Sequence, residues 1–522
     1  MSLKNILAEQ GAKVFETGTK IVTEKVLDNP EVMRWVTDDR VMKVAEGLMD
    51  APERLKAAAK IIKDGYDLPN VDPALDEDAP TKKPAKTEKA PTTGSDAAAQ
   101  GEGSEDLEES MNERRSLASI GGKDIFEKAY KFTAADNARK RGIYPFFRPL
   151  DYNDGPEAVV DGKRVIMFGS NNYLGLTAHP KVREAAKNAI DRYGTSMTGS
   201  RLVNGSMKLH EEFEEKLAAW YGKESALVFT TGYQVNLATL AALMSNKNSV
   251  AVIDRNVHAS LYDGVRLGMA TGARQVRYKH NDADSLDRAL EKLEDSEGAL
   301  VVTDGVFSAE GEIAHLDKLV PVVKKHKARV FVDDAHALGV LGPEGRGTPH
   351  HFGLEKEVDL MGGTFSKSFA STGGWLVGDR KVLDYIRHFA PSFMFAAAAA
   401  PPSIAAAMAA YEVMREEQWR IEKLHENFTY MRDNLRAMGF ELGKTETAVI
   451  PIYIRQDLRT IMMWKELLDE HGVYTNPFIS PGVPPKSAML RTSYMATHER
   501  EQLDRALEAF ETVGKKYGVL KK

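Results

Sequence analysis

Lys367 stands in Thr364-Phe365-Ser366-Lys367-Ser368, with Ala370, Ser371, Gly373 and Gly374 close behind it. Small neighbours let a planar group approach an amine, and partial burial lowers an amine's pKa. A lysine so placed suits condensation with a carbonyl as a Schiff base; the plain alternative is a surface-loop lysine. Phe331-Val332-Asp333-Asp334-Ala335-His336 sets a carboxylate at the end of an apolar strand and an imidazole three residues later. Asp333 there can pair with a protonated ring nitrogen, or Asp333 or Asp334 can cap a helix. His258, in Asp254-Arg255-Asn256-Val257-His258-Ala259-Ser260, offers a second ring in a small-residue loop, where a solvated histidine is the ordinary case. Thr230-Thr231-Gly232-Tyr233-Gln234 opens a helix after a strand. Such a start can hold a phosphate on backbone N–H groups, and it is equally an ordinary strand–helix turn. Ser308 and Thr364 add hydroxyls at two further strand ends.

Successive strands must carry these groups. From Val165 on, apolar runs alternate with helical periodicity. The pattern predicts strands at 226–230, 250–254, 299–303, 329–333, 358–361 and 375–378, with Gly362 and Gly363 already in the loop that leads to Lys367. Helices are predicted at 180–193, 208–221, 234–244, 283–293 and 316–326. Apolar strands alternating with helices imply an α/β domain with a large, mostly parallel sheet covered on both faces. Ligands of such sheets bind at the carboxyl ends of the strands, where the groups above fall. From about 403 a long helix leads into a smaller α+β region with strands at 450–454 and 489–493. Phosphate donors, a stacking ring, a carboxylate for a ring nitrogen and a Schiff-base lysine, in order along one sheet, are the needs of pyridoxal 5'-phosphate (PLP).

The chain has 522 residues and a net charge of −6, which gives no sign of affinity for nucleic acid. It has no cysteine, which excludes disulfides, thiolate metal sites and a cysteine nucleophile. The first residues lack the apolar core of a signal peptide. Residues 393–411 are apolar and alanine-rich, but Pro401-Pro402 splits them into a loop and a packed helix. We expect a cytoplasmic protein, with peripheral contact at the inner membrane face left open. The organisation expected is a helical extension over 1–68, a disordered linker over 69–112 and an N-terminal arm over 113–170 with a helix near 116–141. A PLP-binding domain over 171–402 and a small C-terminal domain over 403–522 follow. The three apolar stripes of 1–68 suit docking on the catalytic region, a carrier protein or a membrane surface.

Several further stretches carry a resemblance. Ser170-Asn171-Asn172-Tyr173-Leu174-Gly175-Leu176, Thr198-Gly199-Ser200-Arg201, Asn204-Gly205-Ser206 and Arg491-Thr492-Ser493-Tyr494-Met495-Ala496-Thr497-His498 join the motifs around Asp333 and Lys367. From about 142 to 519 the chain resembles the α-oxoamine synthases, a branch of the fold-type I PLP enzymes. Within that family, Tyr144-Pro145-Phe146-Phe147-Arg148-Pro149, Lys279-His280-Asn281-Asp282 and Met463-Trp464-Lys465 are similar to bacterial serine palmitoyltransferases.

The resemblance implies a role for each of these residues. Lys367 holds the cofactor and moves protons at Cα, Asp333 pairs with the pyridinium nitrogen, and His258 stacks on the ring. His336 bonds the ring hydroxyl, Gly232, Tyr233, Ser308 and Thr364 surround the cofactor and its phosphate, and Arg491 binds the amino-acid carboxylate. His210 and Arg201 receive no role, and no metal is expected. The implied reaction is decarboxylating condensation of L-serine with a long-chain acyl-CoA or acyl-carrier protein, giving 3-ketosphinganine, by a homodimer. Alternatives are an 8-amino-7-oxononanoate synthase or 2-amino-3-ketobutyrate ligase type using alanine or glycine, and a non-catalytic partner subunit. Two departures stand out: five alanines follow Phe395 where relatives carry serine or threonine, and Ile479 stands where some serine palmitoyltransferases have a mobile arginine.

Overall fold

The computed structural model describes residues 123–480 and 482–521. The extension expected over 1–68 and the linker expected over 69–112 lie outside the described residues.

Seven strands form the central sheet: β1 Ser225–Phe229, β2 Ser249–Asp254, β3 Arg274–Tyr278, β4 Gly298–Asp304, β5 Arg329–Asp333, β6 Leu360–Thr364 and β7 Gly374–Gly378. Their spatial order is β1-β7-β6-β5-β4-β2-β3. β7 runs antiparallel to both neighbours, and the other contacts are parallel. All six residues of β2 are buried, as a strand covered on both faces requires. β3, with the sequence Arg-Gln-Val-Arg-Tyr, escapes the apolar pattern because it is the sheet's edge.

The helices that matter here are α1 Lys208–Tyr221, α2 Gly232–Leu243, α3 Ala259–Met269 and α4 Ala283–Glu291. Three start on side-chain caps: Thr231 accepts from Gln234 N–H, His258 from Ser260 N–H, and Asp282 from Ser285 N–H. The caps fix where each strand hands over to its helix. Tyr221 at the end of α1 stacks on the fully buried Trp375 of β7, ring centroids 4.4 Å apart, which seats α1 against the sheet.

One expectation is corrected. Gly362 and Gly363 are residues of β6, which runs over Leu360–Thr364 and not 358–361. A Cβ at Gly362 would stand 3.0 Å from Val235 of α2 and 3.1 Å from Phe331 of β5, and one at Gly363 would stand 3.1 Å from the Trp375 ring. The glycines let helix and tryptophan close on the sheet. The arm is corrected as well: the helix expected near 116–141 consists, where described, of two short helices, Glu127–Tyr130 and Ala134–Lys140. The first of them buries no residue, so no packed face holds a longer helix together.

Three more strands, β8 Val449–Tyr453, β9 Asn476–Phe478 and β10 Met489–Ser493, form an antiparallel sheet with β10 in the middle. Among the described residues no helix is long and apolar enough to cross a membrane. The stretch 393–411 takes in the end of the short helix Pro391–Met394, a loop and most of the helix Pro401–Glu416.

Candidate active site

The carboxyl ends of β1, β2, β4, β5 and β6 bring the expected residues to one edge of the central sheet. Asp333 closes β5 and is 6% exposed. Its Oδ2 accepts from Asn236 Nδ2 at 2.6 Å and its Oδ1 from Ala335 N–H at 3.0 Å. Both bonds orient the carboxylate and leave lone pairs for a further donor. Asn236 projects from α2, and the second hydrogen of its Nδ2 goes to Ser260 Oγ at 2.8 Å. Ser260 Oγ lies 2.7 Å from His258 Nδ1, which also accepts from Ser260 N–H at 3.3 Å. With donors arriving from Asn236 and Ser260, we assign the His258 proton to Nε2. Burial and the Lys367 cation push the His258 imidazole down, against the pull of Asp333. The ring meets Tyr233 edge-on, centroids 6.4 Å apart.

Lys367 follows β6 by three residues. Burial pushes its amine down to about 8, with Asp333 and Asp304 opposing and Arg491 assisting. Thr364 is 5% exposed, and its Oγ1 donates to Gly373 O at 3.0 Å and accepts from Ser366 N–H at 3.1 Å. It therefore shapes the turn that carries Lys367. Gly232 opens α2 directly against this turn, where a Cβ would stand 2.6 Å from Thr364 Cβ. Only glycine lets the helix N-terminus, with its donor-rich first turn, come so near the lysine loop.

His336 is 7% exposed, and its Nδ1 lies 2.7 Å from Tyr173 Oη. Burial pushes the Tyr173 phenol up to about 12, so it keeps its proton. Burial, Lys367 and Arg491 hold His336 well below its ordinary value, so the imidazole is neutral. Tyr173 then donates to Nδ1 and the His336 proton sits on Nε2.

Arg491, central in β10, is 3% exposed. Its Nε donates to Ser308 O at 2.6 Å, Nη1 to Ser493 Oγ at 2.8 Å and Nη2 to Asn171 Oδ1 at 3.1 Å. A guanidinium has five N–H donors, so one hydrogen on each Nη lies outside these three bonds. Burial lowers its pKa, and among the described residues no carboxylate pairs with it.

Asn171, Tyr173, Asn236, Ser260 and Ser493 enter the site without having been singled out for roles from the sequence. The two unassigned residues are structural. Arg201 forms a buried ion pair with Glu214 of α1 at 2.8 Å, and His210 Nδ1 caps the same helix by accepting from Met207 N–H at 3.1 Å. At the two departures, Ala398 N–H bonds Gly199 O at 2.9 Å and Ala397 bridges Ser200, while Ile479 packs against the core.

A neutralisable amine near a carboxylate, two neutral imidazoles and an open helix N-terminus form the donor set that an aromatic aldehyde bearing a phosphate requires, so these residues fit PLP.

Several known proteins are similar to this chain. Residues 163–510 match the family described as aminotransferase class I and II. The serine palmitoyltransferase of Sphingobacterium spiritivorum is 43% identical over 384 residues, 74% of this chain and 95% of that protein. The 8-amino-7-oxononanoate synthase of Thermoanaerobacter pseudethanolicus is 37% identical over 386 residues, 74% of this chain and 96% of that protein. A solved serine palmitoyltransferase with PLP as internal aldimine superposes with a TM-score of 0.73 at 35% identity, over 76% of this chain and 100% of that one.

Proposed function

This chain belongs to the class I and II aminotransferase family, to its PLP-dependent α-oxoamine synthase branch, and from that premise we propose that it condenses L-serine with a long-chain acyl thioester. The reaction joins the serine α-carbon to the acyl carbonyl and releases CO₂ and the free thiol. The product is a 3-keto long-chain amine, the entry compound of sphingoid lipids. The observation that carries this reading is Arg491, a buried guanidinium without an acidic partner among the described residues, near the amine of Lys367. A buried cation lacking a counter-charge is costly, and an amino-acid carboxylate supplies that charge as a partner of the guanidinium.

PLP, when bound, supplies an electron sink for the charge that develops on the amino acid's α-carbon. Asp333 would hold the proton on the cofactor's ring nitrogen, with Asn236 keeping its carboxylate oriented. His258 would cover one face of the ring, held by Ser260. His336 would offer Nε2–H to the ring hydroxyl, its Nδ1 already taken by Tyr173. Gly232, Tyr233, Ser308 and Thr364 would lie around the cofactor and its phosphate. Lys367 Nζ, neutral above a pH of about 8, takes the α-proton and returns one to the product carbon. Lys367 and Asp333 both speak against a non-catalytic partner subunit.

Purified holoenzyme given L-serine and palmitoyl-CoA or palmitoyl-carrier protein should release thiol and ketoamine. Turnover with alanine or glycine and pimeloyl, acetyl or succinyl donors, and none with serine, would move the chain to the 8-amino-7-oxononanoate synthase or 2-amino-3-ketobutyrate ligase type.

We further assign a cytoplasmic homodimer. Exposed Leu202, Val203 and Phe395 on the loops joined by the Ser200–Ala397 bridge support a partner surface there. Sedimentation of the holoenzyme as a monomer would remove this part. To residues 1–68 we assign presentation of the apolar acyl donor or release of the apolar product. Deleting residues 1–112 without change in turnover or membrane association would remove that assignment.

A further inference from the structure

The Lys279-His280-Asn281-Asp282 turn after β3 touches neither Lys367 nor Asp333 in any bond described above, yet it ties together two loops that do reach the site. On one side lies Asp254, the last residue of β2, four residues before His258. Asp254 Oδ1 accepts from His280 Nδ1 at 3.0 Å and from Asn256 N–H at 2.8 Å, and Oδ2 accepts from Asn281 N–H at 2.7 Å. Asp254 is fully buried, so these donors are what its carboxylate has in place of water. On the other side lies the hairpin 305–315, closed by the Val306–Ile313 bridge. Asn281 Nδ2 donates to Ile313 O at 2.9 Å and Asn281 Oδ1 accepts from His315 N–H at 2.8 Å. The His280 ring packs edge-on against Phe307, centroids 4.2 Å apart, and its Nε2 lies 3.7 Å from Glu312. Phe307 adjoins Ser308, whose carbonyl accepts from Arg491 Nε.

We propose that His280 and Asn281 are positioning residues that set the His258 loop in register with the Ser308–Arg491 anchor, and so fix where an amino acid's carboxylate sits relative to the cofactor ring. The inference rests on the proposed role of Arg491 as carboxylate binder. It does not depend on which amino acid is the natural substrate. Asn281 holds φ at 55°, a conformation that asparagine tolerates and glycine adopts freely. Asn281→Gly therefore keeps the backbone and removes only the two side-chain bonds. Asp282, which merely caps α4, provides the control.

The experiment uses PLP-loaded full-length protein and follows the change in cofactor absorbance on adding L-serine and, separately, glycine. Asn281→Gly is expected to weaken amino-acid binding about tenfold with the absorbance of the unliganded holoenzyme retained. His280→Gln, which keeps a donor for Asp254, is expected to fall between it and the unaltered protein. Asp282→Ala should lower Tm and leave amino-acid binding unchanged. If Asn281→Gly does not fold, Asn281→Asp, which keeps the acceptor for His315 N–H and loses the donor to Ile313 O, carries the same expectation. The proposal is overturned if the Asn281 and His280 variants lose thermal stability while binding both amino acids as the unaltered protein does. Failure of serine turnover in the unaltered protein would instead overturn the substrate reading and leave this test intact.

Discussion

Asn236 donates from Nδ2 to Asp333 Oδ2 across 2.6 Å, and the same nitrogen reaches Ser260 Oγ, so one buried amide joins Asp333 through Ser260 to His258. Removing it leaves Asp333 with one backbone donor and lets Ser260 turn away from His258. Asn236→Leu, of similar volume, is expected to lower kcat/KM by roughly tenfold or more. Asn236→Asp should cost more than that, because two buried carboxylates side by side cannot both ionise and one takes up a proton. Steady-state kinetics at fixed PLP saturation check the order, and equal losses in both variants would show that the amide acts only by filling space.

Arg491 should tolerate no replacement by lysine. Ser308 O, Ser493 Oγ and Asn171 Oδ1 are spaced for a planar fork, and a single ammonium cannot reach all three and a substrate carboxylate as well. Arg491→Lys is expected to raise KM for the amino acid by roughly a hundredfold while KM for the acyl donor stays within about twofold. A parallel rise in both constants would place Arg491 outside the amino-acid site.

The sheet and the reactive positions were legible because both follow from local pattern. Apolar runs such as those of β2 and β5 have no other soluble use, and Lys367, Asp333 and His258 interrupt them just where a parallel sheet exposes its strand ends. The supporting residues were hidden for physical reasons. Asn236 sits in a mostly apolar helix, where the one available signal was a polar residue with no evident partner. Ser493 stands two residues after Arg491, on the same face of β10, but nothing local marks a serine in a strand as a hydrogen-bond acceptor. Gly362 and Gly363 read as loop because glycine disfavours strands, and the closeness of Val235 and Trp375 that demands them is a long-range fact.

Capture of PLP should depend on pH through Lys367. Burial lowers its amine to about 8, so the nucleophilic neutral form is half of the population at that pH and most of it about one unit higher. Cofactor-free protein mixed with PLP should gain absorbance at a rate that climbs with pH through a midpoint near 8 and then levels off. Asp333 favours the charged amine, so Asp333→Asn should move the midpoint lower. A midpoint near the ordinary lysine value of ~10.4 would mean that the amine is not shielded as the structure has it.

Arg201 and Glu214 offer a test in the opposite sense, of a motif that resembles relatives' yet serves the fold. Both side chains are 9% exposed and face each other at 2.8 Å, and Glu214 also accepts from Val228 N–H of β1 at 2.9 Å. Arg201→Met leaves the buried Glu214 carboxylate only the more distant Arg387, at 3.8 Å, and breaking a buried pair typically costs about 3–5 kcal/mol. Pairing it with Glu214→Gln removes the charge and should recover part of that loss. Urea unfolding followed by tryptophan fluorescence reads both. Because neither residue bonds to the Lys367 cleft, PLP absorbance and amino-acid KM of the folded variants should match those of the unaltered protein. A fall in kcat without a fall in stability would place Arg201 among the residues that act on substrate or cofactor.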